Sequence, residues 1–313
     1  MKLFINILAA MTLTLGSLSI SAQQLPAFTH YMYNMLSVNP AYAGSRDALT
    51  VTALHRSQWV GFEGAPVTQT LTVHTPLENE HIGLGLSVVN DKIGPTNNTS
   101  AFLYYSYIMR LTSKSKLAFG LGAGLNMFQA NFDNLNLDMP VDPTFQNNFS
   151  NYMTPNFGLG VYYSRERFYA GISSPYLVEN KYSTLNQVDQ ITVLGNERRQ
   201  YYVIAGTILR LTESLALKPT TLIKVTQAAP IQADITASFI FMKKFILGGM
   251  WRTGDSMGVL VGLDITEQLH FGYSYDFSYG LTTTVYNQGT HEIMLRYDFI
   301  FSNKRQIHSP RYF

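Results

Sequence analysis

Apolar and polar side chains alternate along one segment of the chain after another. Between Leu117 and Met127 the odd positions are apolar, while the even positions include three glycines and Asn126. The same period of two recurs over 269–277 and 292–299. This period places successive side chains on opposite faces of a β-strand. The chain is therefore predicted to be all-β, with strands that are apolar on one face and polar on the other.

A soluble sandwich and a transmembrane barrel both alternate in this way, so strand number, strand length and charge must separate them. We predict fourteen strands, at 49–58, 66–76, 81–90, 98–110, 116–128, 151–163, 167–173, 198–211, 214–225, 230–242, 244–252, 256–265, 268–278 and 290–301. Several are about ten residues long, which is the length that a tilted strand needs to cross a bilayer. Charged residues are only 13% of the chain and lie mostly in turns, loops or on the polar faces. A sandwich would need charge on its outer face, so a transmembrane antiparallel β-barrel is the prediction.

Short and long connections alternate along the predicted barrel. Tight turns are expected at 78–80, 111–115, 164–166, 212–213, 243 and 266–267, and longer loops at 59–65, 91–97, 129–150, 174–197 and 279–289. Short turns on one rim and long loops on the other are typical of outer-membrane barrels, whose short turns are periplasmic. The expected location is the outer membrane, with both termini periplasmic and lipid around the barrel wall.

The first 22 residues predict export. Lys2 is followed by an apolar run from Leu3 to Leu15, and small residues lead to Ala22, as in a cleavable signal peptide. No stretch of 18 apolar residues remains after Ala22, so helical membrane spans are excluded. The predicted parts are a signal peptide at 1–22, an amino-terminal periplasmic or plug segment at 23–48, a barrel at 49–301 and a tail at 302–313.

Composition and motif searches exclude several kinds of chemistry. The net charge of +2 argues against a nucleic-acid partner, and the absence of cysteine excludes disulfides and thiolate metal sites. Gly254 to Gly258 matches G-x-S-x-G around Ser256, but the motif joins two predicted strands rather than a strand and a helix. The acidic stretch 133–142 could coordinate calcium, although such loops are usually only solvated. We therefore predict no catalytic residue, no cofactor and no metal site, and no enzyme.

Charges of both signs fall on the predicted lumen faces of neighbouring strands. They are Lys218, Lys224, Asp234, Asp264, His270, Asp276, Glu292, Arg296 and Asp298. Buried charges must be paired, so these residues either form salt-bridge networks across a narrow or plugged interior or line a water-filled pore. Strand number alone does not decide between the two.

The segment before the first strand has apolar residues at 28, 31, 32, 35 and 36, a helical spacing that ends at Asn39-Pro40. The simplest interpretation is a helical or plug-like piece that packs inside the barrel or against its periplasmic mouth. The alternative is a docking surface for a partner protein, because aromatic and methionine side chains are enriched at interfaces. The candidate partner-binding residues are Tyr31, Met32, Tyr33 and Met35, together with Trp59 and Phe62 at the end of the first strand.

Two stretches of this region carry a family resemblance. Residues 30–45 read HYMYNMLSVNPAYAGS, and residues 56–66 read RSQWVGFEGAP, followed by VHTPL at 73–77. In this order they resemble the PorP/SprF family of type IX secretion-associated outer-membrane proteins, whose mature starts typically read QYMFNPLYINPAYAGS. Weaker similarity in aromatic strands runs to about Phe301, and the tail 304–313 departs from the family.

The resemblance implies a barrel that works with type IX secretion components and helps to export or surface-attach a large partner protein. In the family such proteins are linked to gliding motility and to the carboxy-terminal domains of adhesins. The competing class is an outer-membrane channel for small or hydrophobic solutes. A hydrolase that uses Ser256 is the third.

Overall fold

The computed structural model describes residues 26–132, 149–185, 191–227, 229–279 and 288–300. The strands in this part of the chain are β1 Leu49–Ser57, β2 Val67–Pro76, β3 Ile82–Ile93, β4 Thr96–Thr112, β5 Ser115–Ala130, β6 Phe149–Arg165, β7 Phe168–Ser174, β8 Lys181–Leu185, β9 Ile191–Asn196, β10 Gln200–Thr207, β11 Leu209–Arg210, β12 Leu215–Thr226, β13 Gln232–Phe241, β14 Phe245–Arg252, β15 Ser256–Asp264, β16 Leu269–Ser278 and β17 Thr290–Phe299. The predicted signal peptide and tail lie outside the described residues.

The described strands form a closed antiparallel barrel. Each strand pairs with its neighbour in the chain, β17 pairs with β1, and the small hairpin of β8 and β9 stands apart. β10 and β11 both pair with β12, so they act as one strand interrupted at Ile208. With those two counted as one, the described part of the chain has fourteen barrel strands, as the alternation predicts.

The two faces of the wall divide as the sequence predicts. On β5 the outward Leu121 is 55% exposed, whereas the inward Asn126 is fully buried. The inward residues of β17, from Glu292 to Asp298, are likewise buried, and outward Ile293 and Leu295 are exposed. The apolar side chains therefore face outward, where lipid would lie, and the polar ones are enclosed.

The connections define two rims. Connections 77–81, 113–114, 166–167, 211–214, 242–244 and 265–268 form what we call the short-turn rim. The opposite end, which we call the long-loop rim, carries the described residues of connections 58–66, 94–95, 131–148, 175–199, 227–231, 253–255 and 279–289.

One expectation about the long-loop rim is wrong and another is incomplete. The loop predicted at 91–97 is a tight turn at 94–95, because Asn90 donates to Asn97 and Thr99 and continues the ladder with polar side chains. Gly94 has φ +53, which this turn requires. The long loop predicted at 174–197 contains the hairpin of β8 and β9.

The segment before β1 is not the helix that its apolar spacing suggested. It forms turns and two 3-10 helices, Met35–Ser37 and Pro40–Tyr42, and almost all of its residues from Phe28 to Gly44 are buried. A segment enclosed on every side has no polar face to leave in water, so helical amphipathicity gives way to contacts in all directions. In the described part of the chain, no helix is long and apolar enough to span a membrane.

Candidate functional site

Residues Pro26 to Asp47, which we call the plug, run through the barrel from one rim to the other. Pro26 lies at the long-loop rim, in a cavity that Gln58 and Asp255 also line. At the other end, Asp47 forms an ion pair with Lys116 Nζ, at 3.1 Å, next to the start of β5. The plug therefore crosses the lumen once, and β1 then starts at the short-turn rim.

Near the long-loop rim, buried carboxylates of the wall bind the plug. Glu292 accepts hydrogen bonds from the backbone N–H groups of Thr29 (2.9 Å) and His30 (2.7 Å), and its Oε1 lies 2.7 Å from His30 Nδ1. Arg56 Nη1 lies 2.8 Å from Asp276 and 3.0 Å from Glu292, and it also donates to Thr29 Oγ1. All five residues are buried, and Arg56 offsets the charge of the wall carboxylates to which the plug is hydrogen-bonded.

A second pair stands beside this cluster. Arg252 donates from Nε and Nη2 to the two oxygens of Asp234, each at 2.9 Å, and Nη2 also lies 3.4 Å from the carbonyl oxygen of Phe28. The bidentate geometry fixes the guanidinium in a plane and adds specificity. The start of the plug is thus tied to the ends of β13 and β14.

Nearer the short-turn rim, cationic side chains of the plug and of the wall lie close together. Arg46 pairs with Asp298 at 2.8 Å, and Lys218 Nζ lies 4.4 Å from the centre of the Tyr33 ring, with Arg296 on the same ring at 5.7 Å. Such cation–π contacts are strongest where water is excluded. Of the two outcomes left open for the lumen charges, these ion pairs across a filled interior are the one observed.

Sequence reasoning missed Arg46, Arg56 and Arg252, although these side chains pair with the predicted lumen carboxylates. Arg56 shares its parity with the lumen-facing Thr50 and Thr52, a signal that could have found it. Arg46 lies before β1, where the alternation gives no orientation.

The motif NPAY, residues 39–42, and the alanine after it pack on glycines of β3, β5 and β6. An added Cβ on Gly120 would overlap the backbone of Ala41, one on Gly83 would overlap the carbonyl of Ala43, and one on Gly160 would overlap the Asn39 side chain. Glycine at these inward positions therefore lets the plug backbone touch the sheet. Gly120 on β5 thus serves close packing on the lumen side.

Asn39 shapes the bend that carries the motif. Its Oδ1 accepts from the backbone N–H of Ala41 (2.9 Å), capping the second 3-10 helix, and its Nδ2 donates to the carbonyl of Val161 (3.1 Å) on β6. Tyr42 then packs edge-on against Tyr162, with ring centres 5.4 Å apart. One side chain thus both turns the plug and anchors it to the wall.

The predicted partner-binding residues fall into two groups. Tyr31, Met32, Tyr33 and Met35 are at most 6% exposed, so the expectation that they present a surface beside the mouth is corrected. Their apolar bulk fills the lumen instead. The Tyr31 hydroxyl lies 3.1 Å from the Thr220 hydroxyl.

The second group lies at the long-loop rim. Phe62 is 48% exposed, and Trp59 is half-buried with a φ of +46. Residues 58–66 are tied to both neighbouring connections, since Val60 N–H donates to Gly289 O (2.9 Å) and Gly94 N–H donates to Gly64 O (2.8 Å). We call residues 58–66 the rim platform, because these bonds present Phe62 outward from a fixed backbone.

The other chemical candidates lie at the long-loop rim or outside the described residues. Ser256 begins β15 directly after the β14–β15 turn, so no helix follows it, and its hydroxyl lies 3.2 Å from Asp255 Oδ2. Within the residues that the structure describes, no group of three His, Asp or Glu side chains is arranged to hold a metal ion. The acidic stretch 133–142 lies outside them.

A cavity of about 490 Å³ remains above the plug at the long-loop rim. The Arg56 and Arg252 ion pairs lie at its floor, and Trp59, Pro66 and Pro230 are among its walls. We call it the mouth cavity. Below it, among the residues that the structure describes, nearly all of the plug from Phe28 to Gly44 is buried against the inward side chains of the wall.

Comparison with protein families shows which family this barrel belongs to. The model of the type IX secretion system membrane protein PorP/SprF matches residues 20–297. The chain belongs to the PorP/SprF family. The PorP/SprF match includes both the plug and the rim platform, and the family and fold together place the protein in the outer membrane. No curated protein sequence matches the chain.

Solved structures share the barrel with this PorP/SprF protein. The CymD monoaromatic hydrocarbon channel is 10% identical, with a TM-score of 0.51 over 84% of this chain and 92% of that chain. The outer membrane protein Omp33 of Acinetobacter baumannii is 8% identical, with a TM-score of 0.44 over 82% of this chain and 100% of that chain. At such identity the likeness concerns the fold alone.

Proposed function

We propose that this PorP/SprF protein supports type IX secretion by holding a large secreted partner at the cell surface, such as the carboxy-terminal domain of a gliding adhesin. The partner would bind the long-loop rim, and the secretion machinery would deliver it there. Family membership supports the link to type IX secretion. The filled lumen is the observation that carries the rest.

A filled lumen favours a scaffold over a conduit. Inward charges of the wall pair with one another and with the plug, and Tyr31, Met32 and Met35 are almost wholly buried within the barrel. A water-filled pore needs polar side chains that face water, and these face protein. The partner would then bind at the outer surface of the barrel.

The rim platform is the best-formed part of that surface. Exposed aromatic side chains on a fixed backbone are typical anchors of protein interfaces, because ordering them costs little entropy on binding. Phe62 has these properties, being 48% exposed on a loop that is bonded at both sides. We therefore assign Phe62, with Trp59 of the same loop, as the anchor for the partner.

Phe62→Ala tests this assignment. Since an interface anchor contributes about 2 kcal/mol or more, surface display of the secreted partner should fall tenfold or more. Display would be measured by antibody labelling of intact cells, and barrel assembly by heat-modifiable gel migration. Phe168→Ala, which removes a side chain that is 42% exposed at the short-turn rim, is the matched control and should leave display unchanged. Equal display in both variants would refute the assignment.

A further inference from the structure

A groove of about 430 Å³ lies on the outer wall of the barrel, across β17, β1, β2 and β3. Ala53 is the smallest outward side chain there, and its neighbours across the strands, Leu295 and Leu71, are each 46% exposed. Leu54 and Thr70, whose side chains face inward, also line the groove, so its floor reaches the backbone of the wall. We call this gap in the lipid-facing surface the wall groove.

The end of the wall groove nearer the long-loop rim is polar. His55, Gln69 and Asn90 lie side by side on β1, β2 and β3, and all three line the groove. The Asn90 amide nitrogen is used by Asn97 and Thr99, which leaves its Oδ1 free to accept. In the part of the chain that the structure describes, the Gln69 side chain has no hydrogen-bond partner. A polar group without a partner is costly in hydrocarbon, so the groove favours a lipid with hydrogen-bonding groups at this depth.

A cation lies one step closer to the rim on the same face. Lys92 is the next outward residue of β3 after Asn90, and it is exposed beside Val67 of β2. Among the described residues its ammonium group has no carboxylate partner. Alternate residues of a strand are about 7 Å apart, so Lys92 and Asn90 form successive levels of the wall. An unpaired ammonium group beside a membrane attracts an anionic headgroup.

The order of these levels matches the order of groups in a phosphorylated, acylated lipid. A phosphate would lie at the ammonium group, carbonyl and hydroxyl groups at the polar row, and an acyl chain in the apolar part. The wall groove is continuous with the surface that lipid covers in an outer-membrane barrel. Lipid A of the outer leaflet carries hydroxyl groups near the carbonyl end of its acyl chains, so it offers Gln69 and Asn90 both donors and acceptors. The ester groups of a phospholipid offer acceptors alone.

We propose that the wall groove binds lipid A, with one acyl chain over Ala53. The carbonyl and hydroxyl groups at the start of that chain meet Gln69 and Asn90, and a phosphate lies beside Lys92. The proposal takes the long-loop rim to face outward, as the proposed function does, but it involves neither the plug nor the secreted partner.

Native mass spectrometry of the full-length protein in detergent, mixed with purified lipid A, tests the proposal without depending on membrane orientation. Ala53→Phe fills the groove and should lower the affinity for lipid A about tenfold or more, because the acyl chain loses its buried contact. Ala237→Phe makes the same change at an exposed outward position of β13 and should leave binding unchanged. Equal binding by these two variants, each shown to be assembled by heat-modifiable migration, would overturn the proposed location.

Two further variants test the polar contacts without filling the groove. Lys92→Gln should lower the affinity for lipid A about tenfold, because it removes a hydrogen bond to a charged group, and Gln69→Leu should weaken binding at nearly constant side-chain volume. Lys244→Gln, at an exposed position of the short-turn rim, is the matched control and should bind normally.

The choice of lipid is tested with phosphatidylglycerol, which has a phosphate and two ester-linked chains but no acyl hydroxyl group. It should bind more weakly than lipid A, and Gln69→Leu should reduce the difference. Equal binding of phosphatidylglycerol and lipid A to the unmodified protein would overturn the assignment of lipid A.

Discussion

Glu292 connects the plug to the last strand of the barrel. It is fully buried and bonds to the backbone of Thr29, to His30 and to Arg56, so the first and last parts of the chain meet at one carboxylate. Nothing in the alternation of β17 distinguishes it from the other inward charges. Its importance arises only from the path of the plug, which strand patterns do not predict.

Glu292→Ala should destabilise the folded barrel by about 3–5 kcal/mol, because it leaves a buried Arg56 with one carboxylate fewer and two plug N–H groups without an acceptor. Unfolding in denaturant, followed by heat-modifiable migration, measures this loss. Glu267→Ala, at an exposed position of the short-turn rim, is the control and should change stability little. A small effect of Glu292→Ala would show that the plug contributes little to stability.

Among the elements, β5 tests which face of the wall meets lipid. Leu121→Arg should cost about 2–4 kcal/mol, the cost of arginine near the bilayer midplane, whereas Leu111→Arg at the end of β4 should cost about 0–1 kcal/mol near the interface. Both leucines are exposed on the outer wall, at 55% and 49%. Folding titrations into lipid vesicles would compare the two variants. Equal costs would mean that Leu121 does not face the hydrocarbon.

The sequence predicts most of the barrel because lipid and lumen impose opposite polarity on successive residues of a strand. It fails where that constraint ends. At the long-loop rim, β3 and β4 are joined through polar pairs such as Asn90 and Asn97, which resemble a loop in composition. In the plug every direction is interior, so Tyr31 and Tyr33 are core residues, as the plug interpretation of this segment predicts and the docking alternative does not.

For the whole molecule, the filled lumen predicts electrical behaviour. The intact protein in a planar bilayer should show no stepwise conductance, because plug and wall side chains close the lumen below the mouth cavity. A variant that lacks residues 26–46 should conduct, provided that heat-modifiable migration shows an assembled barrel. Conductance of the intact protein as large as that of the deletion variant would favour the solute-channel alternative.

The contact between Thr29 and Glu292 spans 263 residues of chain. During export the plug emerges first and the strand that carries Glu292 emerges last, so the plug gains its main acceptor only when the barrel is complete. Contacts of such long sequence separation make folding slow, because the chain loses the entropy of closing a large loop before the contact stabilises it. A chain truncated before β17 leaves Arg56 without Glu292 and the plug without a place to bind. Completion of the last strand and closure of the interior are therefore one event, which makes assembly of this protein cooperative from end to end.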